Sequence, residues 1–377
     1  MKYISIIDDD LNGHIFRDDK YHLKIICSLK QETEICLLNK SFKELKKKFK
    51  ENEKLNFLIK LKDNSFSSRL NLFFNLKIKK NEVIIFNGFN EIDLIFFTLF
   101  KFLSQPKIIL LPTNNFSKLR FRKYGFLFKI IFLLIKPYIK KIVFASYAEK
   151  SFFKKEIPFF NTSKLVDRKM YQIIDQNNKV KNLQSLEGNK NLKNLLFVGP
   201  IKKDKPLKPI IDLISEFQSD YFNYYFLNLE KEIDLIKEKF PDLKNIYSMN
   251  SQFNKDKNDE SIKISNTDYL SAISSADFVF LNHNSDFQYK ISGVLMDSLS
   301  CHVPFISDDI YPAAEYVRSY INLGVIVNFE DVNWPKLLRN KLVGFKAKNF
   351  VIASNEFHKN HTKRDVDFSL ENIFKNY

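Results

Sequence analysis

The sequence predicts an α/β protein built on two parallel sheets. Short apolar runs recur along the whole chain, segments with helical spacing separate them, and one polar stretch divides the pattern into halves of similar size.

A parallel sheet buries both of its faces, so its strands read as continuous apolar runs of four to six residues. The first half carries YISII (3–7), EICLL (34–38), VIIF (83–86), KIILL (107–111) and KIVFAS (141–146). The second carries NLLFVG (194–199), YYFLNL (224–229), DFVFL (277–281), VPFIS (303–307) and GVIVNF (324–329). Between them, EIDLIFFTLFKFL (91–103) holds an apolar stripe that stops before Pro106. In LKPIIDLISEF (207–217), Ile210, Leu213, Ile214 and Phe217 fall at i, i+3, i+4 and i+7, one face of a helix.

The stretch DQNNKVKNLQSLEGNKNLK (175–193) has few apolar residues and reads as a linker. The predicted organisation is a first Rossmann-like domain at 1–175, a linker at 176–193, a second Rossmann-like domain at 194–345 and a helical segment at 346–377. The two domains are expected to face each other across a cleft. In open α/β sheets ligands bind outside the carboxyl ends of the strands, so the strand-to-helix loops there are where chemistry is expected.

Composition narrows the function. Among 377 residues, 45% are hydrophobic and 28% charged, which excludes wholesale disorder, collagen and a polytopic membrane protein. The net charge of +16 calls for an anionic partner: nucleic acid, a phosphate-bearing substrate or an acidic membrane face. A/T-biased codon usage also enriches Lys, Asn, Ile and Phe and accounts for part of that charge. Three cysteines without a CxxC pair fit a reducing cytosolic setting. The start, MKYISIIDDD, lacks the apolar stretch of a secretory signal. The most apolar segment, residues 126–139, is interrupted by Lys129, Lys136 and Pro137 and does not reach the ~20 residues of a membrane span.

Two segments of the second half carry phosphate-binding chemistry. In NLLFVGPIKKDKPLKPIIDLI, Gly199 follows a strand and lets backbone approach a ligand. Lys205, placed at the start of the following helix, can reach an anionic oxygen. The same residues also read as a plain turn followed by a solvated lysine run. In DFVFLNHNSDFQYKISGVLMDSLSCHVPFIS, a helix is expected from Ser292-Gly293-Val294, whose N–H groups and dipole suit a diphosphate. Lys290 adds charge beside them, and Asp297, one turn on, can accept from ribose hydroxyls. The plainer reading makes Ser292 an ordinary cap and Asp297 an acid that complements the helix dipole.

In this order and spacing the two segments resemble the C-terminal half of glycosyltransferases of the GT-B fold, in particular the retaining, nucleotide-sugar-dependent group 1 type. Gly199 and Lys205 match its strand–Gly–x5–Lys element, Asp297 the second acid of its E-x7-E motif, and Pro304 its closing strand. The likeness covers most of 194–330, and a looser one joins VIIFNGFNEIDLIFF and KIVFASYAEKSFF to the acceptor-side domain. Pro200 stands where the family has Arg, Tyr289 where it has the first acid and His302 where it has Gly. The His that the family carries at the end of a middle strand is absent from IILLPTNN. Some members carry a Tyr-Lys/Arg-x-Ser-Gly pattern like YKISG in place of the first acid.

The resemblance implies transfer of a sugar from a nucleotide diphosphate sugar to a hydroxyl of a glycan or lipid-linked acceptor, as in bacterial surface polysaccharide synthesis. It implies that 346–377 packs back on the first domain. Gly199, Lys205, Lys290, Ser292, Gly293, Val294 and Asp297 would bind the donor, with Lys205 stabilising the leaving diphosphate in the role a metal plays elsewhere. No cofactor and no metal is expected. A polyol-phosphate transferase on the same fold, or a non-catalytic binding protein, are the alternatives.

On the acceptor side, Asn12-Gly13-His14 follows the first strand, and His14 could act as base or orient the acceptor. An exposed turn explains the same residues. Asp8-Asp9-Asp10 reads as a solvated strand end, and the remaining histidines show no metal-ligand spacing. Residues 116–155 hold 11 Lys/Arg against one acid, Glu149, with aromatics interleaved. That pattern suits a helix in the interface of an anionic membrane, on the inner face of the cytoplasmic membrane; snorkelling lysines over core contacts give the plainer reading. Nothing in the chain matches a zinc finger, recognition helix or RNP-type element, so no nucleic-acid partner is expected.

Overall fold

The computed structural model describes residues 1–5, 14–29, 32–49, 55–61, 65–87, 89, 91–101, 104–112, 116, 122–144, 147–167, 188–227, 229–249, 266–288, 290, 292–361 and 370–375. The chain divides into two compact units. One is Met1–Met170 with Tyr289–Ile291 and Lys363–Tyr377; the other is Tyr171–Gln288 with Ser292–Thr362.

The first unit holds seven strands: β1 (Lys2–Ser5), β2 (Thr33–Leu38), β3 (Leu55–Leu61), β4 (Val83–Asn87), β5 (Lys107–Leu111), β6 (Ile139–Phe144) and β7 (Leu165–Asp167). They lie in the order β3-β2-β1-β4-β5-β6-β7, with every pair parallel. The second unit holds β8 (Lys193–Val198), β9 (Phe222–Leu227), β10 (Ile246–Ser248), β11 (Phe278–Leu281), β12 (Phe305–Asp308) and β13 (Gly324–Val327). Their order is β10-β9-β8-β11-β12-β13, again all parallel. Counted from its own first strand, each sheet runs 3-2-1-4-5-6, the doubly wound Rossmann order. Both are α/β units of the kind the apolar runs predicted.

Helices α1 (His14–Ser28), α2 (Asn39–Lys48), α3 (Phe66–Asn75), α4 (Glu91–Lys101), α5 (Arg122–Ile135) and α6 (Tyr147–Glu156) connect the strands of the first unit. Successive strand residues point to opposite faces. Ile84 and Phe86 of β4 therefore join Phe73, Phe97 and Phe132 in one core. Val83 and Ile85 join Leu23 and Ile26 in the other. Phenylalanine dominates the first of these cores. Phe86 and Phe97 meet edge to face at 4.9 Å and 88°, and Phe116 lies 4.7 Å from Phe153. Such pairs add about 0.5–1.5 kcal/mol beyond area burial. A buried ion pair, Arg69 to Asp93, ties α3 to α4.

The second unit is built the same way, with α7 (Lys208–Phe217), α8 (Glu230–Lys239), α9 (Asn266–Ser274), α10 (Gly293–Ser300), α11 (Ala313–Ser319), α12 (Trp334–Gly344) and α13 (Ala347–Asn360). Its core centres on Leu213, Phe226, Phe280, Trp334 and Leu338. The turn before β12 puts His302 at φ 56°, in the left-handed region that favours glycine. His302 stacks on His358 of α13, 3.9 Å between centroids, and its Nδ1 lies 2.9 Å from Ser354 Oγ. The His358 Nε2 donates to the Leu299 carbonyl at 2.9 Å.

The segment 346–377 has two fates. Helix α13 stays in the second unit, whereas Leu370, Ile373 and Phe374 sit in the first unit's core. Phe374 meets the buried His22 edge to face at 6.2 Å, and His22 Nδ1 is 3.0 Å from Tyr3 Oη. His22 is thus a satisfied core histidine.

Three strands escaped the sequence reading: β3, β7 and β10. All three are sheet edges. Residues 116–155 also differ from the single interfacial helix expected. They form α5, then β6 in the sheet, then α6, and β6 is flanked by β5 and β7. Phe128 and Phe132 of α5 are core residues.

Candidate functional site

In the second sheet the strand order reverses between β8 and β11, which makes the loops after these two strands the switch point of the fold. Both segments singled out in the sequence leave from it. Gly199 follows β8 directly, with φ at +84°, and a Cβ built there would meet nothing within 4 Å. Backbone conformation therefore calls for glycine, and open space lies in front of it.

The next residues fold into a tight hairpin. Lys202 N–H donates to the Lys205 carbonyl at 3.1 Å, and Lys205 N–H returns a bond of 3.0 Å. Lys205 thus closes a hairpin and precedes α7, which starts at Lys208, rather than lying in the helix. Pro206 explains the difference, since a residue before proline is driven out of the helical region.

The hairpin is knitted to the loop after β11. Asn284 N–H donates to the Asp204 carbonyl at 3.1 Å. The Asn284 Nδ2 donates to the Lys203 carbonyl at 2.8 Å, while its Oδ1 accepts from Asp286 N–H at 2.9 Å. Asn282 Nδ2 donates to the Pro206 carbonyl at 3.1 Å. Lys203 pairs with Asp286 at 3.4 Å, an exposed contact worth little by itself. The Lys205 ammonium lies 5.7 Å from the centroid of Phe287, whose ring stacks on His283 at 3.7 Å and 8°. That distance is within cation–π range.

Helix α10 begins directly after this loop. Ser292 is its cap, and its hydroxyl accepts from Leu295 N–H at 3.2 Å. The cap satisfies the third N–H of the helix and leaves those of Gly293 and Val294 without an intrahelical acceptor. Two N–H groups and the positive end of the dipole thus stand where an anion would bind. Lys290 is partly exposed two residues before the cap. Asp297 is buried, and its Oδ2 accepts from Tyr269 of α9 at 2.9 Å.

The structure thus joins the Lys202–Lys205 hairpin, which follows Gly199, to the loop that leads into Ser292, Gly293 and Val294. On the first unit, Asn12, Gly13 and Asp8-Asp9-Asp10 lie outside the described residues. His14 opens α1, with its side chain outside the described set. Tyr289 also lies outside it. Among the described residues no cluster of three or more His, Cys, Asp or Glu could hold a metal ion. No helix among them is long and apolar enough to cross a membrane.

Sequence reasoning missed Asn282, Asn284, Phe287 and Tyr269. The signal available was LNHNSDF itself, with two asparagines immediately after a predicted strand, the residue type that ties loops to backbone.

No protein-family model matches the sequence, and no curated relative matches it. Solved structures resemble the fold over the full length. The Anabaena protein HepE, crystallised with UDP-glucose, shares 12% identity with a TM-score of 0.67, covering 100% of both chains. A glycosyltransferase from Rickettsia africae shares 12% identity with a TM-score of 0.64, covering 100% of this chain and 97% of that one. WaaG, a glycosyltransferase involved in lipopolysaccharide biosynthesis, shares 11% identity with a TM-score of 0.58 over 99% and 98%. Sucrose-phosphate synthase from Thermosynechococcus elongatus, at 9% identity and a TM-score of 0.65, has the same architecture. The chain has the GT-B fold of these enzymes, with two Rossmann-like domains.

Proposed function

We propose that the protein is a metal-independent hexosyltransferase that moves a sugar from a nucleotide diphosphate sugar to a hydroxyl of a glycan or lipid-linked acceptor. The observation that carries this reading is the coupling of the Gly199–Lys205 hairpin to the loop that leads into α10. A glycine facing open space, a lysine and a helix N-terminus on the loops that leave one switch point support the reading, since this is the chemistry a diphosphate needs.

In the proposed reaction the bond between the anomeric carbon and the diphosphate oxygen breaks. The acceptor oxygen bonds to that carbon, and the nucleoside diphosphate leaves. Lys205, Lys290 and the N–H groups of Gly293 and Val294 stabilise the charge arriving on the leaving group. His14 takes the proton of the acceptor hydroxyl or orients that hydroxyl, with Asn12 and Gly13 beside it. Asp297, held by Tyr269, accepts from the donor ribose. These groups supply the positive charge, so neither metal nor cofactor enters the reaction. Retention of configuration follows from the resemblance to the group 1 type. A role in bacterial surface polysaccharide synthesis, at the cytoplasmic face of a membrane, suits a lipid-linked acceptor.

UDP-glucose, the ligand of the HepE crystals, is the first donor to test. A thermal-shift screen over nucleotide diphosphates and nucleotide sugars reads binding; a ligand at 100 times its Kd stabilises by about 2.7 kcal/mol. Incubation of the donor alone then separates the alternatives. A glycosyltransferase releases free sugar and nucleoside diphosphate. A polyol-phosphate transferase given its own donor releases the nucleoside monophosphate, and a binding protein releases neither. The absence of any shift with any nucleotide overturns the enzyme reading.

A further inference from the structure

Helix α5 has an unusual sequence for a surface helix, RKYGFLFKIIFLLI. One side, with Phe128, Ile131, Phe132 and Ile135, is buried in the core. The other side is apolar too: Phe126 is 68% exposed, Leu133 54% and Leu134 58%. The cations of α5 are Arg122 and Lys123 in the first turn and Lys129, which pairs with Glu156 at 3.4 Å; an apolar outer face opposite an apolar inner one belongs in a protein interior or in lipid.

Its neighbours repeat the anomaly. On α3, Phe66, Leu70 and Phe74 fall at i, i+4 and i+8 and are exposed, Phe74 at 66%. On α4, Leu99 and Phe100 are exposed, and the Phe100 ring meets Phe74 edge to face at 5.7 Å. Helices α3, α4 and α5 pack side by side on one face of the first sheet. Among the described residues, eleven of the nineteen exposed large hydrophobic side chains lie on these three helices. At ~150–250 Å² for a fully exposed aromatic side chain, they present roughly 1,000 Å², against ~300–600 Å² for the largest apolar patch of a typical monomer.

Charge selects the occupant. Residues 66–136 contain 12 Lys/Arg and 3 Asp/Glu. One pair, Arg69 and Asp93, is buried and neutralises itself. Lys77, Lys79 and Lys80 follow α3 and are exposed. A second copy of this face would bring positive charge against positive charge, whereas anionic headgroups complement it. Helix α5 has 14 residues, about 21 Å at 1.5 Å per residue, too short to span a ~30 Å hydrocarbon core.

We infer that α3, α4 and α5 form a docking face for an anionic lipid bilayer. The exposed Phe and Leu side chains enter the acyl boundary, and the flanking lysines meet lipid phosphates. The protein lies on the membrane without crossing it. This deepens the membrane reading proposed above and moves its centre from 116–155 to a surface of three helices. Lipid binding is read without donor or turnover, so its outcome is separate from that of sugar transfer.

The test is co-sedimentation of the full chain with phosphatidylcholine vesicles, with and without 30% phosphatidylglycerol. Expected are retention by the anionic vesicles, at least tenfold weaker binding to the neutral ones, and loss of binding with rising salt. A Phe126→Ser/Leu133→Ser/Leu134→Ser variant should lose at least tenfold in partitioning, and a Lys77→Glu/Lys79→Glu/Lys80→Glu variant severalfold. Should the apolar variant fail to fold, Phe126→Trp decides: its emission should shift to the blue with anionic vesicles. Equal binding to both vesicle types, no binding, or an unshifted spectrum overturns the inference. So does a concentration-dependent dimer that the Phe126→Ser variant abolishes, which would make the face a contact between copies.

Discussion

The ammonium of Lys205 lies 5.7 Å from the ring centroid of Phe287, and this contact joins the residue proposed to meet the diphosphate to the loop after β11. Phe287 in turn stacks on the buried His283. The aromatic pair thus gives a flexible lysine one side on which to rest.

Lys205→Ala should lower the rate of donor cleavage by 10²–10³, the ~3–4 kcal/mol of a lost transition-state donor. The fold should lose little, since a partly exposed cation–π contact is worth about 0.5–1 kcal/mol. Phe287→Leu should cost less activity, and Phe287→Tyr should restore it. Steady-state kinetics and thermal melting of the three variants check this; a Lys205→Ala enzyme with unchanged kcat would remove the leaving-group role.

Gly199→Ala places a Cβ at φ +84° in open space. No clash follows, so the cost is the left-handed backbone itself, about 1–2 kcal/mol. Nucleotide affinity should fall as well, because the methyl occupies the approach. Urea denaturation and calorimetric titration with UDP separate the two effects.

Replacing Arg69 by Met leaves the Asp93 carboxylate buried without its partner and should cost about 3–5 kcal/mol. The Arg69→Met/Asp93→Leu pair should recover most of that loss. Equilibrium unfolding of both variants is the measurement.

Burial holds the His302 imidazole below its ordinary value; burial first, then the neighbouring His302, lowers His358. The unfolded chain therefore takes up protons near 6.5 that the folded chain refuses. Stability from this pair is fully present above about 6.5 and is lost as the pH falls through the depressed folded values. His302→Asn should flatten this slope, and chemical denaturation at stepped pH between 7.5 and 5 reads it. An unchanged slope in the variant would assign the acid sensitivity elsewhere.

The interior of both sheets was legible in the sequence because buried parallel strands leave an unbroken apolar run. KIILL marks β5 residue for residue, and NLLFV and FVFL mark β8 and β11 within a residue. Of the four edges only β13, in GVIVNF, was legible; the other three carry short or mixed runs. β7 is three residues, Leu165–Asp167, and β10 is Ile246–Ser248; β3 mixes Asn56 and Lys60 into its seven. In the site, the Ser292 cap and Gly199 carry local backbone signals and were found. Asn282, Asn284 and Tyr269 act across 28 to 81 residues of sequence, and no local spacing reports such contacts. In the basic, aromatic stretch 116–155 core phenylalanines and exposed ones have the same letter; only the packing of α5 separates Phe128 from Phe126.

The packing of Phe374 against His22 has a bearing on biosynthesis. The amino-terminal lobe lacks part of its own interior until residues 370–375 emerge, long after its seven strands have left the ribosome. A nascent chain released from synthesis before that point would carry an open hydrophobic seam over α1. Such unfinished species are prone to aggregate, so this lobe completes its interior only after the second unit has been synthesised, even though its strands are made first.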